Sequence, residues 1–135
     1  MTFKLSTSSI AKLEHVHPDL VKVVYRALEL TPTDFAVTYG LRTPEEQKLL
    51  VAAGKSKTMN SRHLTGHAVD LTPYITKDKR FSDGRTVDRP YFINVATAMK
   101  ESGKELDIPL EWGGDWKEFA DLYHFQLPWN AYPLR

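Results

Sequence analysis

The sequence predicts an α+β fold in which a small antiparallel sheet packs with about three helices. Three segments carry apolar residues at helical spacing, and four shorter segments are rich in β-branched and aromatic residues. These segments do not alternate as a βαβ repeat, so a parallel sheet is not expected. The chain has 135 residues and no proline-rich or charge-rich linker, which predicts a single domain over residues 1–135.

Two elements are predicted in the first third of the chain. Residues 18–30 carry apolar side chains at helical spacing behind Pro18, which suits a first helical turn, and this pattern predicts a helix. Residues 34–39 are β-branched and aromatic, and they predict a strand that ends in a turn at Gly40.

The second predicted helix has signals at both ends. Thr43 and Glu46 have the spacing of a capping box, Pro44 between them suits the first turn, and Gly54 ends the helix. The polar residues 55–60 that follow predict a loop.

The second strand and the third helix are separated by a charged segment. Residues 67–71 predict a strand that Pro73 stops. Residues 90–106 carry apolar side chains at helical intervals, which predict the third helix. The charged residues 76–88 between these two elements predict a mobile loop.

Two further short strands are predicted near the end of the chain. Residues 108–112 and 122–127 are apolar and aromatic, and a Gly113-Gly114 turn follows the first of them. These two segments complete the four strands that the predicted sheet requires.

Composition excludes several function classes. The chain has 18 basic and 17 acidic residues spread along its length, so no basic field for nucleic acid or anionic lipid is expected. It has no cysteine, so a tightly held transition metal would need imidazole and carboxylate ligands. No apolar run is long enough to span a bilayer, and the first 20 residues lack a signal-peptide pattern. We therefore expect a product that is made soluble in the cytoplasm.

Chemistry-bearing residues are concentrated in segment 61–70, which holds two histidines and one carboxylate. A catalytic zinc commonly takes three nitrogen or oxygen ligands and leaves a fourth position for water. His63 and His67 have the spacing of a zincin pair, but Leu64 stands where the zincin pattern needs glutamate. The glycine and β-branched residues that follow favour a turn into a strand, so His63 with Asp70 is the better ligand pair.

Strand alternation predicts the direction of the second histidine. In a strand that starts near His67, Asp70 and Ala68 share one face, and His67 and Val69 share the other. His67 is therefore expected to point away from a metal that Asp70 binds.

One peptidase family shares the pattern of these residues. Ser61-x-His63-x-x-Gly66-x-Ala68-x-Asp70 resembles the zinc signature SxHxxGxAxD of the D-alanyl-D-alanine carboxypeptidases and VanY/VanX-like peptidases. The resemblance extends over most of the chain, through the GLRTPEEQ segment upstream and the WGGDW segment downstream. It implies a hedgehog/DD-peptidase-like fold with one catalytic Zn²⁺ ion.

The resemblance also implies roles for individual residues. His63, Asp70 and His124 are expected to bind the zinc ion, and Asp121, three residues before His124, matches the family's general base. Arg42 matches the family's substrate-binding arginine. Its fixed fork of donors suits a substrate carboxylate or a developing oxyanion, so Arg42 is expected to serve both binding and catalysis.

Three details of the site are less strongly specified. Ser61 is expected to bind substrate, with orienting a ligand or shaping the turn as alternatives. Asp121 and His124 would face opposite sides of a regular strand, so a turn or bulge is expected at Asp121. Gln126 stands where many relatives have glutamate, which leaves the hydrogen bonding behind the last histidine open.

Other polar and aromatic residues have weaker assignments. Asp78, Asp83 and Asp88 form a weak calcium-site hypothesis, which the resemblance to some phage endolysins prompts although the EF-hand pattern is missing. Trp112 and Trp116 could line a groove for the glycan or peptide but are equally expected in the core of a small domain, and they receive no site role.

Short members of the family resemble phage endolysins, so the predicted function is zinc-dependent cleavage of the L-alanyl-D-glutamate bond of peptidoglycan by a metal-activated water. The alternatives are a D,D-carboxypeptidase or dipeptidase that releases terminal D-alanine, and a zinc-stabilised wall-binding module without activity. The expected partner is the peptidoglycan stem peptide, with no nucleic acid and no stable membrane association. The protein is expected to be a monomer that a separate lysis protein delivers from the host cytoplasm to the wall.

Overall fold

A computed structural model describes residues 3–55, 61–75, 88–118 and 120–133. Its elements in chain order are α1 (Thr7–Lys12), α2 (Pro18–Leu30), β1 (Phe35–Tyr39), α3 (Pro44–Ala52), β2 (Ala68–Pro73), α4 (Arg89–Leu106), β3 (Glu111–Trp112) and β4 (His124–Gln126). Two short 3-10 helices, Arg62–Thr65 and Gly113–Asp115, precede β2 and follow β3. The predicted α+β class is confirmed.

Within the described residues, the four strands form one antiparallel sheet in the order β1-β2-β4-β3. The central pair β2 and β4 places Asp70 directly opposite His124. The register of β1 against β2 shifts between Val37 and Tyr39, just before the chain leaves the sheet for α3. This sheet brings the two distant histidine-bearing segments together.

Side-chain alternation gives the sheet one apolar face and one polar face. The apolar face packs into a core that α2 and α4 complete, and it carries Val37, Val69, Leu71 and Phe125. The polar face lines a cleft, and it carries Thr38, Asp70, Thr72, His124 and Gln126. The fold therefore backs the polar face with a packed core, in which burial of each large aliphatic side chain stabilises by about 1.5–3 kcal/mol.

Helices α2 and α4 pack against each other through apolar side chains and two polar contacts. Ser102 Oγ donates to the Val23 carbonyl at 2.7 Å inside the contact. At the exposed edge of this contact, Arg26 Nε and Nη2 each donate to one carboxylate oxygen of Glu105 at 2.9 Å. The predicted helices at 18–30 and 90–106 are both confirmed, the second beginning one residue earlier.

One described helix has no counterpart in the prediction. Helix α1 is six residues long and buries only Ser9, whose Oγ accepts a hydrogen bond from Val37 N at 2.9 Å. Because this helix docks on β1 through a hydroxyl, its sequence lacks the apolar stripe by which helices are recognised.

The last two strands are shorter than predicted. Strand β3 begins at Glu111 because Ile108 N still bonds back to the Gly103 carbonyl at 2.8 Å, closing the end of α4. Strand β4 begins at His124 because the residues before it form a turn. Pro73 does not stop β2 but is its last residue, paired with Phe35 of β1. It lies beyond residues 68–70, the part of β2 that pairs with β4, so its missing N–H interrupts no pairing on that side.

The predicted loops fall mainly on residues 56–60 and 76–87, which lie outside the described residues. Among the helices that the structure describes, none combines the length and the apolar character that crossing a membrane requires.

Candidate active site

The polar face of the sheet opens into a cleft of about 920 Å³. This volume is in the range of ligand-binding clefts, roughly 300–1,000 Å³. The residues that the sequence predicts for the site all line it: Arg42, Ser61, His63, Asp70, Asp121 and His124.

Three of these side chains form a group that could hold a metal ion. His63, Asp70 and His124 each offer one ligand atom, and these atoms lie within 4.8 Å of one another. His63 Nε2 lies 3.1 Å from Asp70 Oδ1, and His124 Nδ1 lies 3.4 Å from the same oxygen. In the part of the chain that the structure describes, no other group of this kind is found.

The 3-10 turn before β2 orients the His63 ring. Ser61 caps this turn, its Oγ accepting from His63 N at 3.2 Å, and Gly66 ends it at φ 76°. A side chain on Gly66 would also collide with the His15 carbonyl, so this position requires glycine. His63 Nδ1 lies 2.9 Å from the Gly40 carbonyl, which can only accept, so Nδ1 carries the proton and Nε2 offers a lone pair.

The orientation of His124 is set by a chain of two polar contacts. Gln126 Nε2 donates to Glu111 Oε2 at 3.3 Å, which turns the amide oxygen of Gln126 towards His124. That oxygen lies 2.8 Å from His124 Nε2, so Nε2 carries the ring proton and Nδ1 is left with a lone pair. Gln126 thus provides the acceptor behind the last histidine.

The donor set fits a divalent metal ion. Two neutral imidazoles direct lone pairs at the Asp70 carboxylate, and lone pairs that face a carboxylate repel it. A cation between the three side chains would be attracted to all of them and would remove this repulsion. Two nitrogens and one carboxylate are also the donors that zinc takes in catalytic sites. Burial would raise the pKa of Asp70, but the two histidines outweigh it and hold that pKa well below its usual range. Burial would lower the pKa of His124, but Asp70 outweighs it and raises that pKa.

Asp121 lies in the turn that precedes β4, as the spacing to His124 predicts. Its N–H donates to the Gly113 carbonyl at 2.9 Å, and its Oδ1 accepts from Tyr123 N at 3.1 Å. A β-carbon on Gly113 would lie 2.5 Å from the Asp121 carbonyl oxygen, so glycine permits this close approach. Burial and the nearby charge of Asp70 raise the pKa of the Asp121 carboxyl.

Arg42 enters the cleft from the segment between β1 and α3. Its backbone N donates to the His63 carbonyl at 2.9 Å, and its guanidinium lies 5.0 Å from the centre of the Tyr39 ring. Its Nη2 is 3.6 Å from Asp70 Oδ2, and its Nη1 donates to Gln47 Oε1 at 2.7 Å. Arg42 Nε is buried without a hydrogen-bond partner among the described residues. An arginine in this state retains donor capacity for a ligand.

His67 lies outside the metal group, consistent with strand alternation. Its ring centre is 5.4 Å from that of His17 and 6.4 Å from that of Tyr132, and its Nδ1 is 2.7 Å from Thr65 Oγ1. Burial, together with the positive charge of Arg62 and the neighbouring His17, lowers the pKa of His67. The fold therefore favours the neutral ring.

This shift makes stability depend on pH. Because the unfolded chain binds a proton at His67 more readily than the folded chain, the contribution of His67 to the free energy of unfolding falls as the pH drops from about 7.5 to about 5.5, through the ordinary histidine pKa of about 6.5. In His67→Asn, which keeps a polar atom near Thr65, we expect a smaller fall. Urea unfolding at both pH values measures this, and an equal fall in the two proteins would contradict it.

Arg62 has a structural role that no signal in the sequence predicts. It is 1% exposed, its Nε donates to the Leu127 carbonyl at 3.2 Å, and its Nη2 donates to the carbonyls of Pro128 and Tyr132 at 3.3 and 2.5 Å. Its guanidinium lies 4.1 Å from the centre of the Trp129 ring, which lines the cleft. Through these hydrogen bonds Arg62 holds residues 127–132, the segment after β4, next to the site.

The two tryptophans of the WGGDW segment lie in different surroundings. Trp112 is buried in the core, with its Nε1 donating to the Leu122 carbonyl at 2.9 Å. Trp116 instead lines the cleft, with its ring centre 5.2 Å from that of His124. Of the two positions that the sequence leaves open, Trp116 therefore takes the groove, because it follows the 3-10 turn at Gly113–Asp115 that leads away from β3.

The calcium hypothesis concerns residues at the edge of the described ranges. Asp78 and Asp83 lie outside the described residues. Asp88 is buried directly before α4 and does not belong to the described group that could hold an ion.

Comparison with known proteins agrees with this site. The model of the phage L-alanyl-D-glutamate peptidase family matches residues 1–126. The L-alanyl-D-glutamate peptidase of Escherichia phage T5 is 37% identical over 135 aligned residues, covering 98% of this chain and 94% of that protein. The peptidoglycan L-alanyl-D-glutamate endopeptidase CwlK of Bacillus subtilis is 30% identical over 108 residues, covering 70% of this chain and 60% of that protein.

A solved structure shares the fold over nearly the whole chain. The L-Ala D-Glu endopeptidase ChiX of Serratia marcescens superposes with a TM-score of 0.86 and 39% sequence identity, covering 97% of this chain and 95% of that chain. The family resemblance seen in the zinc-type signature is thereby confirmed. Matched over residues 1–126, this chain belongs to the phage L-alanyl-D-glutamate peptidase family.

Proposed function

We propose that this protein is a zinc-dependent endolysin that hydrolyses the L-alanyl-D-glutamate bond of peptidoglycan stem peptides as a single catalytic domain. The observation that carries the proposal is the convergence of His63, Asp70 and His124 in one cleft. It occurs in a chain whose family and relatives are named for that bond.

The proposed zinc ligands are His63 Nε2, Asp70 and His124 Nδ1. Zinc held there would supply a Lewis acid and a water whose pKa is lowered towards neutrality. The contribution of the chain is to hold both imidazoles as neutral donors, through the Gly40 carbonyl on one side and Gln126 on the other.

Asp121 is the proposed general base. Its Oδ1 is engaged by Tyr123 N, so Oδ2 is the oxygen left to take the proton of the attacking water and to pass it to the leaving amine. The raised pKa of Asp121 suits this double role, because a stronger base accepts the proton more readily and still releases it to an amine.

Arg42 and Ser61 are the proposed substrate-binding residues. The guanidinium of Arg42 lines the cleft and is a planar, cationic fork of donors, which suits a substrate carboxylate or the developing oxyanion. Ser61 lines the same cleft while its Oγ accepts from His63 N, so within the described part of the chain its hydroxyl hydrogen has no acceptor and can reach a substrate carbonyl.

Digestion of purified peptidoglycan tests the proposal. The protein is incubated with peptidoglycan with and without a zinc chelator, and the new ends are identified by mass spectrometry. We expect free L-alanyl carboxyl and D-glutamyl amino ends that appear only without the chelator. Release of free D-alanine would instead identify a D,D-carboxypeptidase, and intact wall would favour a binding module.

Removing the acceptor behind His124 should weaken metal binding. In Gln126→Met the ring of His124 loses the contact that fixes its proton on Nε2, and we expect the zinc dissociation constant to rise about 10- to 100-fold. Glu111→Gln only frees the amide to turn, so a smaller rise is expected. Competition with a chromophoric chelator measures both, and unchanged affinity in Gln126→Met would contradict the assigned role.

A further inference from the structure

Helix α3 buries a single side chain, and that side chain is polar. Of its nine residues only Gln47 is buried, and it is 0% exposed, whereas Leu49 on the same helix is 71% exposed. A helix that contributes to a core normally does so with an apolar stripe. The inward face of α3 therefore serves a polar contact.

The buried contact of Gln47 is with the guanidinium of Arg42. Gln47 Oε1 accepts from Arg42 Nη1 at 2.7 Å, a short and charge-assisted hydrogen bond. The other two donor positions of Arg42 are less engaged, with Nη2 3.6 Å from Asp70 Oδ2 and Nε unpartnered among the described residues. Gln47 is thus the side chain that holds the guanidinium by a close hydrogen bond.

The local sequence places Gln47 firmly. The capping box of Thr43 and Glu46 is complete, with hydrogen bonds of 3.1 and 3.0 Å, and Gln47 N donates to the Thr43 carbonyl at 3.0 Å. Gln47 therefore sits at the rigid start of α3, five residues after Arg42. An arginine side chain that moves freely loses considerable rotamer freedom when a ligand holds it in one geometry. An arginine that Gln47 already holds loses less.

We propose that Gln47 is a positioning residue, which holds Arg42 Nη1 so that the guanidinium is fixed in one orientation at the cleft for the substrate. This inference rests on the proposed function, in which Arg42 binds a carboxylate or oxyanion of the stem peptide. Gln47 does so as a neutral acceptor, so it does not itself neutralise the positive charge of Arg42.

A double-mutant cycle on the zinc-loaded protein tests this role. The variants are Gln47→Met, which keeps the side-chain length but removes the acceptor, Arg42→Met, and the double variant. We expect Gln47→Met to lower kcat/KM for a stem-peptide substrate by roughly 10- to 100-fold in the wild-type background. In the Arg42→Met background the same change should cost less than about threefold, since the two residues act as a unit.

Controls separate positioning from a general effect on folding. Lys48→Met changes the exposed neighbour on α3 and should leave kcat/KM and zinc content unchanged. Gln47→Glu retains an acceptor oxygen at the same reach and should lie closer to wild type than Gln47→Met. Should Gln47→Met fail to fold, Gln47→Glu and Gln47→Asn, whose amide is too short to reach Arg42, form the comparison.

The outcomes distinguish failure of this inference from failure of the proposed function. Equal losses from Gln47→Met in both backgrounds, or no loss in the wild-type background, would overturn the positioning role. A wild-type protein that cuts no stem peptide would refute the proposed function. In that case the Nε–H resonance of Arg42 in nitrogen-15 NMR spectra tests whether Gln47 positions the guanidinium. That resonance should shift in Gln47→Met and not in Lys48→Met, and an unshifted resonance overturns the inference.

Discussion

His63→Ala is expected to lose zinc and peptidoglycan hydrolysis together. The ring is held by the Gly40 carbonyl with its Nε2 aimed at Asp70, so its removal deletes one of three converging donors and leaves a buried carboxylate short of a partner. Because a catalytic metal contributes several kcal/mol of charge stabilisation, we expect kcat/KM to fall by at least about a thousandfold. Metal analysis after gel filtration and a peptidoglycan digestion assay measure the two effects.

His67→Asn is the matched control for this experiment. His67 lies four residues from His63 but outside the metal group, so the control should keep both zinc and activity. Treatment of the wild-type protein with a chelator should reproduce the loss, and added Zn²⁺ should restore activity. Retained zinc in His63→Ala, or loss of zinc in His67→Asn, would reject the ligand assignment.

Asp121→Asn is expected to keep zinc and lose turnover. Asparagine retains an oxygen that can accept from Tyr123 N, so the turn before β4 should persist while the ionisable oxygen is removed. General bases contribute about 10²- to 10⁴-fold, so a loss of kcat of that size is expected with an unchanged zinc content. Asp115→Asn, at the exposed carboxylate that pairs with Lys100, should leave both unchanged.

The pH profile of kcat/KM provides a second readout for Asp121. A general base works in its ionised form, so activity should fall as the pH drops through the pKa of Asp121. Because burial and Asp70 raise that pKa, the fall should begin at a higher pH than for an ordinary aspartate. Residual activity of Asp121→Asn should lack this acid limb. Loss of zinc in Asp121→Asn, or an unchanged acid limb, would contradict the assignment of the base.

Much of the fold could be predicted because its signals are local. The apolar spacing of residues 18–30 predicts α2 with both of its ends, and the capping box of Thr43 and Glu46 predicts the start of α3. Both depend on hydrogen bonds or packing positions separated by three or four residues, which the sequence displays directly. Helix α1 escaped prediction because its docking contact, Ser9 on Val37, is polar and joins residues 28 positions apart.

The same distinction applies to the site. By itself the sequence paired His63 with Asp70, through a glycine turn and strand alternation, and its resemblance to the family added Asp121 and His124. Only the tertiary structure decided what surrounds them, namely Gln47 on Arg42, Glu111 behind Gln126, and Arg62 under residues 127–132. Glu111, which orients Gln126, and the carbonyls on Arg62 come from other elements, and Gln47 is distinguished by its burial. Partners of that kind are selected by the packing of helices and strands, and they leave no periodic signal in the chain.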